Sequence, residues 1–471
     1  MAKNQSVYVC SECSHTEDKW TGQCPSCNSW GTLEEKAAPT ATGSKNGPNK
    51  TAKSDFTPKN AVAISNQTKD VKKKIPTHID EFDRVLGGGL MPGGIVLLTG
   101  SPGCGKSTLT LAAGHNLAKN GKKTLIISGE ETENQIADRA LRIGAAGSEN
   151  LYIVSDKDLS NAIAYIDNLK PDVIIVDSLQ TMYSPEVDGN SGGVAQVKEV
   201  ASTITNEGKA RETPIIMIGH VTKDEKVAGP RTVEHLVDTV LIFSEAGTGS
   251  MRLLRAEKNR FGSTEEVGCF EHYEGGLREV KDPSGILLDQ HDGNVTGIGI
   301  SIIMEGNRPL PVEVQALTVT SAIPVPRRVA SGVEHARAVM LQAVLDKHAK
   351  MGLGNMDIYI STAGGLKVRD TALDISTAIA LCSSKFNYLL NPKLSGIGEI
   401  SLTGELRRVS YMERRIEEAH RLGLDLIIVP KTTEQRVLDN AKKKGITVVP
   451  IKNVKSLVQF IANLSEQPKG D

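Results

Sequence analysis

The sequence predicts an α/β protein with a parallel-sheet core, preceded by a four-cysteine metal knuckle and followed by a second α/β unit. Three observations carry this. Short, continuously apolar stretches alternate with helical ones from about residue 75 to 280, as in sheets buried on both faces. A glycine-rich loop follows the first of those stretches, and four of the seven cysteines fall within the first 27 of 471 residues.

The candidate strands are IVLLTG (95–100), TLIISG (124–129), DVIIVDS (172–178), IIMIGH (215–220) and TVLIF (239–243). From about 281 onward come the strands GIGISII, DIYIS and LIIVP, with helices over roughly 333–349 and 410–422. The expected division is a knuckle at 1–36, a tether at 37–60, a core at 61–280 and a second unit at 281–471. The tether is rich in Ala, Thr, Ser, Gly, Pro and Lys, too polar and too small-chained to bury a core. Composition is ordinary for a globular chain, with 39% hydrophobic and 24% charged residues. No apolar run reaches the roughly 18 residues a membrane span requires, and MAKNQSVYVC lacks a secretory apolar segment. The cytoplasm is the expected compartment. Net charge of −1 and 4% aromatics exclude a globally basic or stacking-rich nucleic-acid binder. Any such partner would be gripped by local patches of Lys and Arg on phosphates.

Cys10-x-x-Cys13 and Cys24-x-x-Cys27 form two knuckles ten residues apart, with Gly22 and Pro25 allowing tight turns. Four thiolates suit tetrahedral Zn²⁺ and leave no open coordination position, which predicts structure or recognition rather than catalysis. Paired redox thiols are the competing reading. Cys104, Cys269 and Cys382 are scattered and expected to be reduced, buried or structural.

Gly100-Ser101-Pro102-Gly103-Cys104-Gly105-Lys106-Ser107 fits G-x-x-x-x-G-K-[ST] at every fixed position and lies between a strand and a helix that begins at Thr108. In such a loop backbone N–H groups and a helix N-terminus cradle phosphates. Lys106 would neutralise the β- and γ-phosphates of ATP and Ser107 would hold Mg²⁺. Asp177, ending DVIIVD, is the expected Mg²⁺-side carboxylate. Ser178 follows it, so a water-polarising glutamate must come from elsewhere. Glu130 is the expected base, with Glu131 in support; an acidic turn capping the next helix is the bland alternative. His220, ending IIMIGH, is placed to sense the γ-phosphate, although histidines at strand ends are often only hydrogen-bonded.

Three features together resemble the bacterial RadA/Sms DNA-repair family: the four-cysteine knuckle, IDEFDRVLGGGLMPGG before the loop, and Leu254 to Gly262 with its K-N-R-F-G run. GHVTK…AGPR (219–231) matches as well. The resemblance covers essentially the whole chain. It implies a RecA-like P-loop core in a homo-hexameric, DnaB-like motor on single-stranded and branched DNA, assisting a RecA-type recombinase. It also implies that Lys258 and Arg260 reach a neighbour's ATP, where the bland reading is a basic surface hairpin. DNA would meet the loops 184–194 and 222–232, through Lys223, Lys226 and Arg231. Glu225 stands where the family pattern leads one to expect glycine.

The C-terminal unit resembles the Lon protease domain in layout, through Ser361 to Gly365, Arg369-Asp370 and GEISLTGELRRV. A Lon-type dyad needs Ser and Lys. The sequence offers Ala372 or Leu373 and Met412 or Glu413, so no peptidase activity is expected. The unit reads as a scaffold, with Arg327, Arg328, Arg407, Arg408, Arg414 and Arg415 fit for phosphates; salt bridges to Glu417 and Glu418 account equally well for the last pair. The resemblance favours an ATP-driven DNA translocase promoting branch migration in recombination. The alternatives are an ATP-switched DNA-binding scaffold that does not move and, against the missing dyad, an ATP-dependent protease.

Overall fold

The computed structural model describes residues 6–10, 16–17, 22–23, 25, 33–37, 72–220, 232–247, 249–288 and 295–465. Residues 1–70 and 71–471 form two compact units. In the first, β1 (Ser6–Cys10), β2 (Thr16–Glu17) and β3 (Leu33–Ala37) make an antiparallel sheet with β1 in the middle. Cys10 ends β1, while Cys13, Cys24 and Cys27 lie outside the described residues, as does the tether at 37–60 beyond Ala37.

The second unit opens with helix α1 (Asp80–Leu86), strand β4 (Ile95–Gly100) and helix α2 (Lys106–Lys119). Strands β5 (Thr124–Ser128), β6 (Leu151–Ser155), β7 (Val173–Asp177) and β8 (Ile215–His220) follow, connected through α3 (Glu133–Arg142), α4 (Leu159–Leu169) and α5 (Val194–Arg211). Then come β9 (Thr239–Glu245), β10 (Met251–Asn259), β11 (Val267–Tyr273) and β12 (Gly276–Glu279). The nine strands lie in the order β12-β11-β10-β9-β4-β8-β7-β5-β6. Strands β4 to β9 run parallel; β10, β11 and β12 fold back as an antiparallel extension.

Why the apolar runs are continuous is visible in the two cores. Val96, Leu98, Ile126, Val173, Ile175 and Ile216 pack on the face covered by α1 and α2. Their neighbours Ile95, Leu97, Leu125, Ile127, Ile174, Val176, Ile215 and Met217 pack on the opposite face with α4 and α5. Side chains alternate across a strand, so a strand covered on both faces needs an apolar residue at every position.

After the short helix α6 (Ser284–Leu287) comes a seven-stranded sheet in the order β15-β16-β14-β13-β17-β20-β21. It is built from β13 (Ile298–Glu305), β14 (Arg308–Thr320), β15 (Arg328–Ser331), β16 (Met356–Thr362), β17 (Leu394–Gly396), β20 (Leu426–Pro430) and β21 (Thr447–Ile451). A two-stranded ladder, β18 (Glu399–Ile400) with β19 (Leu406–Arg407), stands apart from it. Helices α7 (His335–Ala349), α8 (Asp374–Phe386), α9 (Met412–Arg421), α10 (Gln435–Lys443) and α11 (Val454–Ser465) complete the unit. The two sheets share one core. Met251, Leu253, Val267 and Cys269 of β10 and β11 pack with Leu310, Val312 and Leu341, while Leu254, Ala256 and Phe270 face the P-loop side. A buried ion pair stitches the same seam: Arg308 at the start of β14 reaches Glu81 of α1, and its guanidinium also donates to the carbonyls of Val267, Val280 and Lys281. Among the described residues, no helix is long and apolar enough to cross a membrane.

Candidate nucleotide site

The glycine-rich loop joins β4 to α2, at the carboxyl end of the parallel strands. Its conformation demands glycine. Gly103 and Gly105 have φ of 77° and 103°, and a Cβ on Gly100 would lie 2.0 Å from the carbonyl oxygen of Phe243. Lys106 is buried, and its Nζ donates to the carbonyl oxygens of Gly100 (3.0 Å) and Ser101 (3.1 Å). Cys104, also buried, packs beneath the loop with Phe243 and Leu98, and burial pushes its thiol pKa up. Cys269 and Cys382 are buried free thiols as well. Thr108 stands in the first turn of α2 with its methyl against Gly276.

Three strand ends converge beside this loop. Glu130, Asp177 and His220 follow or end β5, β7 and β8, and one ligand atom from each lies within 4.8 Å of the others. Glu130 Oε1 accepts from the Ser178 hydroxyl at 2.7 Å and stands 3.0 Å from His220 Nε2. That hydrogen bond to His220 is the main cause holding the Glu130 carboxyl down at about 2, with Ser178 and Lys106 acting in the same sense against desolvation. Asp177 behaves oppositely. It is buried, burial raises its pKa, and the nearby Ser107 hydroxyl pulls the other way. Among the described residues its Oδ1 has no hydrogen-bond partner. A buried carboxylate oxygen left unpaired beside a P-loop serine fits a hard cation such as Mg²⁺ and leaves that position to a ligand.

Glu131 does not join that cluster. Its carboxylate forms a two-pronged pair with Arg139 of α3, at 2.6 Å for one prong, and borders a small cavity beside Ser107 and Asp177. The alternation that sends Glu130 toward His220 turns Glu131 to the helix. Three contributors were missed in the sequence: Ser178, Arg139 and Gln180. Gln180 Oε1 accepts from the His220 backbone N–H at 3.3 Å and its Nε2 donates to the His220 carbonyl at 3.4 Å, which fixes the end of β8. The only available signal was their closeness to Asp177 and Glu131 in sequence.

Lys258 and Arg260 lie at the opposite end of the sheet. Gly100 pairs with Phe243, and Phe243 with Leu254; at the far end Val96 pairs with Thr239, and Thr239 with Asn259. Lys258 Nζ donates to the carbonyl oxygens of Glu234 (2.8 Å) and Val237 (2.7 Å), and burial lowers its pKa. Arg260 pairs with Asp238 at 3.0 Å, and Asp238 also accepts from the Ile95 N–H at the start of β4. With ~3.3 Å per strand residue, Ile95 stands roughly 16 Å from Gly100. Asn259 and Lys74 tie this corner to the end of α1, through the carbonyls of Val85 and Gly87.

Of the expected DNA loops, 184–194 carries Glu186 and Asp188 and no Lys or Arg, with Ser184 held by Gln196. Lys223, Lys226 and Arg231 lie outside the described residues. In the C-terminal unit, Ala372 and Met412 are buried in one apolar cluster, and Leu373 is buried in the neighbouring core. Glu413 accepts from Asn440. No serine–lysine pair occupies these positions.

A parallel sheet with a phosphate loop at its carboxyl edge, a buried Mg²⁺-type carboxylate and a paired glutamate–histidine beside it define a P-loop ATPase. Comparison with known proteins agrees. Residues 66–226 match an AAA domain family, and residues 8–35 match a rubredoxin metal-binding domain family. The DNA repair protein RadA of Mycobacterium tuberculosis H37Rv is 42% identical over 468 residues, covering 99% of this chain and 95% of the relative. RadA of Mycolicibacterium smegmatis is 41% identical (98% of each chain), and RadA of Bacillus subtilis 168 is 39% identical (96% and 98%). The solved KaiC-like protein of Pyrococcus horikoshii OT3 is a more distant likeness, at 18% identity and a TM-score of 0.38 over 44% of this chain and 99% of its own. The chain belongs to the RadA family of DNA-repair ATPases, and its amino-terminal segment is a metal-binding ribbon.

Proposed function

We propose that this protein is a DNA-dependent ATPase working as a homo-hexameric motor on single-stranded DNA, promoting branch migration of recombination intermediates beside a RecA-type recombinase in the cytoplasm. Gly100 to Thr108 hold the phosphates of ATP, Ser107 and Asp177 hold Mg²⁺, and Glu130 orients the attacking water. His220 reads the state of Glu130 through their hydrogen bond and passes it to the chain beyond β8, where Lys223, Lys226 and Arg231 meet DNA. Bound Mg²⁺ supplies charge neutralisation at the phosphates. Cys10, Cys13, Cys24 and Cys27 hold Zn²⁺ as a structural or recognition element. Residues 281–471 act as a non-proteolytic scaffold of Lon-like layout.

One observation carries this reading. Lys258 and Arg260 stand a full strand length from their own P-loop, so any ATP they touch belongs to another subunit. Hydrolysis then depends on a seam between protomers. Mixing Lys106→Ala subunits with Arg260→Ala subunits tests it. Each variant alone is inactive, while a mixture recovers turnover because some seams join an intact loop to an intact finger. Absence of recovery at every ratio sinks the shared site. Strand displacement on a forked substrate separates motor from static clamp: DNA-stimulated hydrolysis with no duplex opened favours the clamp. For the ribbon, metal analysis is expected to give about one zinc per chain, lost in Cys24→Ala.

A further inference from the structure

A cleft of about 740 Å³ lies where the motor sheet meets the C-terminal unit, and none of the residues Gly100 to Thr108 lines it. One wall comes from the ends of β9 and β10, the other from the β13–β14 turn, the segment 366–370 and the start of α9. The size falls in the range of small-molecule pockets, ~300–1,000 Å³.

The charges of this cleft do not cancel. Three carboxylates line it, and each already has an arginine. Glu245 is 3.2 Å from Arg252, Glu305 is 2.7 Å from Arg255, and Asp370 is 2.7 Å from Arg415. Two cations remain, Lys367 and Arg369, with no ion-pair partner among the described residues. They alternate with the buried Leu366 and Val368 on an extended stretch anchored by the Val368 N–H to the Gly332 carbonyl at 2.8 Å. Residues two apart on extended chain point the same way, so both charges enter the cleft from one side. Buried Leu366 and Val368 hold the backbone between them, so that a bound anion orders two side chains and not a loop.

We propose that this cleft is a second ligand site, taking a phosphorylated small molecule whose dianionic group sits between Lys367 and Arg369. Tyr411, about 43% exposed, lines the cleft and adds apolar surface for the remainder of the ligand, while Arg414 lies over its ring 5.7 Å from the centroid. A polynucleotide fits less well. A phosphate backbone needs a row of cations along its path, and here only two are unpaired, in a cleft that Glu245 and Glu305 also line. The proposal rests on the cleft alone and stands whether or not the protein moves on DNA.

The test is equilibrium dialysis of radiolabelled pyrophosphate, in excess Mg²⁺, against the full chain saturated with ADP. The expected result is one further equivalent of pyrophosphate per chain, with ADP retained at one per chain. In the Lys367→Ala/Arg369→Ala variant, pyrophosphate affinity falls at least tenfold while ADP affinity and melting temperature hold, because both side chains are exposed. Several results overturn the proposal: no pyrophosphate bound by the wild type, equal binding by the variant, or ADP released as pyrophosphate binds, which would place the anion at the P-loop. Displacement by one equivalent of a short single-stranded oligonucleotide would assign the cleft to DNA and overturn it as well.

Discussion

The two halves of the second unit treat buried charge differently. In the motor half, Asp177 and Glu81 each bury a carboxylate oxygen that lacks a hydrogen bond among the described residues, as does the Thr205 hydroxyl, while Arg252 lacks one only at Nε and is paired with Glu245. In the C-terminal half, the buried atoms without a partner are hydroxyls, Ser395 Oγ and Thr433 Oγ1. The buried charges there are closed: Asp374 with Arg337 and the Ile400 N–H, and Arg415 with Asp370 and the carbonyls of Ser410 and Ile302. An unpaired charge costs stability unless a ligand completes it, whereas a completed one specifies packing. The same kind of sheet therefore hosts chemistry in one half and architecture in the other.

That contrast breaks most sharply at Arg260. Its replacement by alanine should lower ATP turnover about 10³-fold, the scale of losing an arginine finger, with a smaller fall in melting temperature than Arg337→Met, since buried Asp238 keeps the Ile95 N–H and Lys209 at 3.8 Å. Phosphate release in the assembled protein measures it. Glu130→Gln should cost at least about 10²-fold in kcat while ATP affinity persists; an unchanged rate would remove Glu130 from the reaction. The C-terminal half should respond in the opposite currency. Arg337→Met leaves Asp374 buried without its main partner and should cost about 3 kcal/mol of stability, read by denaturant unfolding, with turnover per folded chain unaffected. The smallest effect is expected from Ala372→Ser combined with Met412→Lys. No casein hydrolysis should appear, because both positions sit inside an apolar cluster, where a lysine cannot be both packed and poised.

Much of the motor half was legible in sequence, because strands covered on both faces must be apolar throughout and because a phosphate loop needs glycine at fixed places. The strands expected at 95–100 and 215–220 are found at those bounds, the one expected at 124–129 is one residue shorter at its end, and the one expected at 172–178 is one residue shorter at each end. The antiparallel extension was not legible. Strands β10 and β11 serve two cores, so their pattern signals neither a surface hairpin nor a buried parallel strand. Glu130 and Glu131 show the same limit at the site. Adjacent, chemically identical residues differ only in which face the chain turns them to, and Arg139, eight residues on, decides it for Glu131. The arginines of the C-terminal half posed a related problem: Arg415 looked like a surface cation beside Glu417 and Glu418, yet it is the buried partner of Asp370.

Strand β10 deserves to be considered as a mechanical part. Nine extended residues make a rod of about 30 Å, paired with β9 along Arg252–Asn259 on one edge and with β11 over Met251–Arg255 on the other. Near one end Leu254 pairs with Phe243, which pairs in turn with Gly100 of the phosphate loop, and the other end carries Lys258 and leads into Arg260. In the proposed ring such a tie-rod would leave no slack between successive pockets, so that a tilt begun at one seam would be felt at the next without any side chain having to change its rotamer.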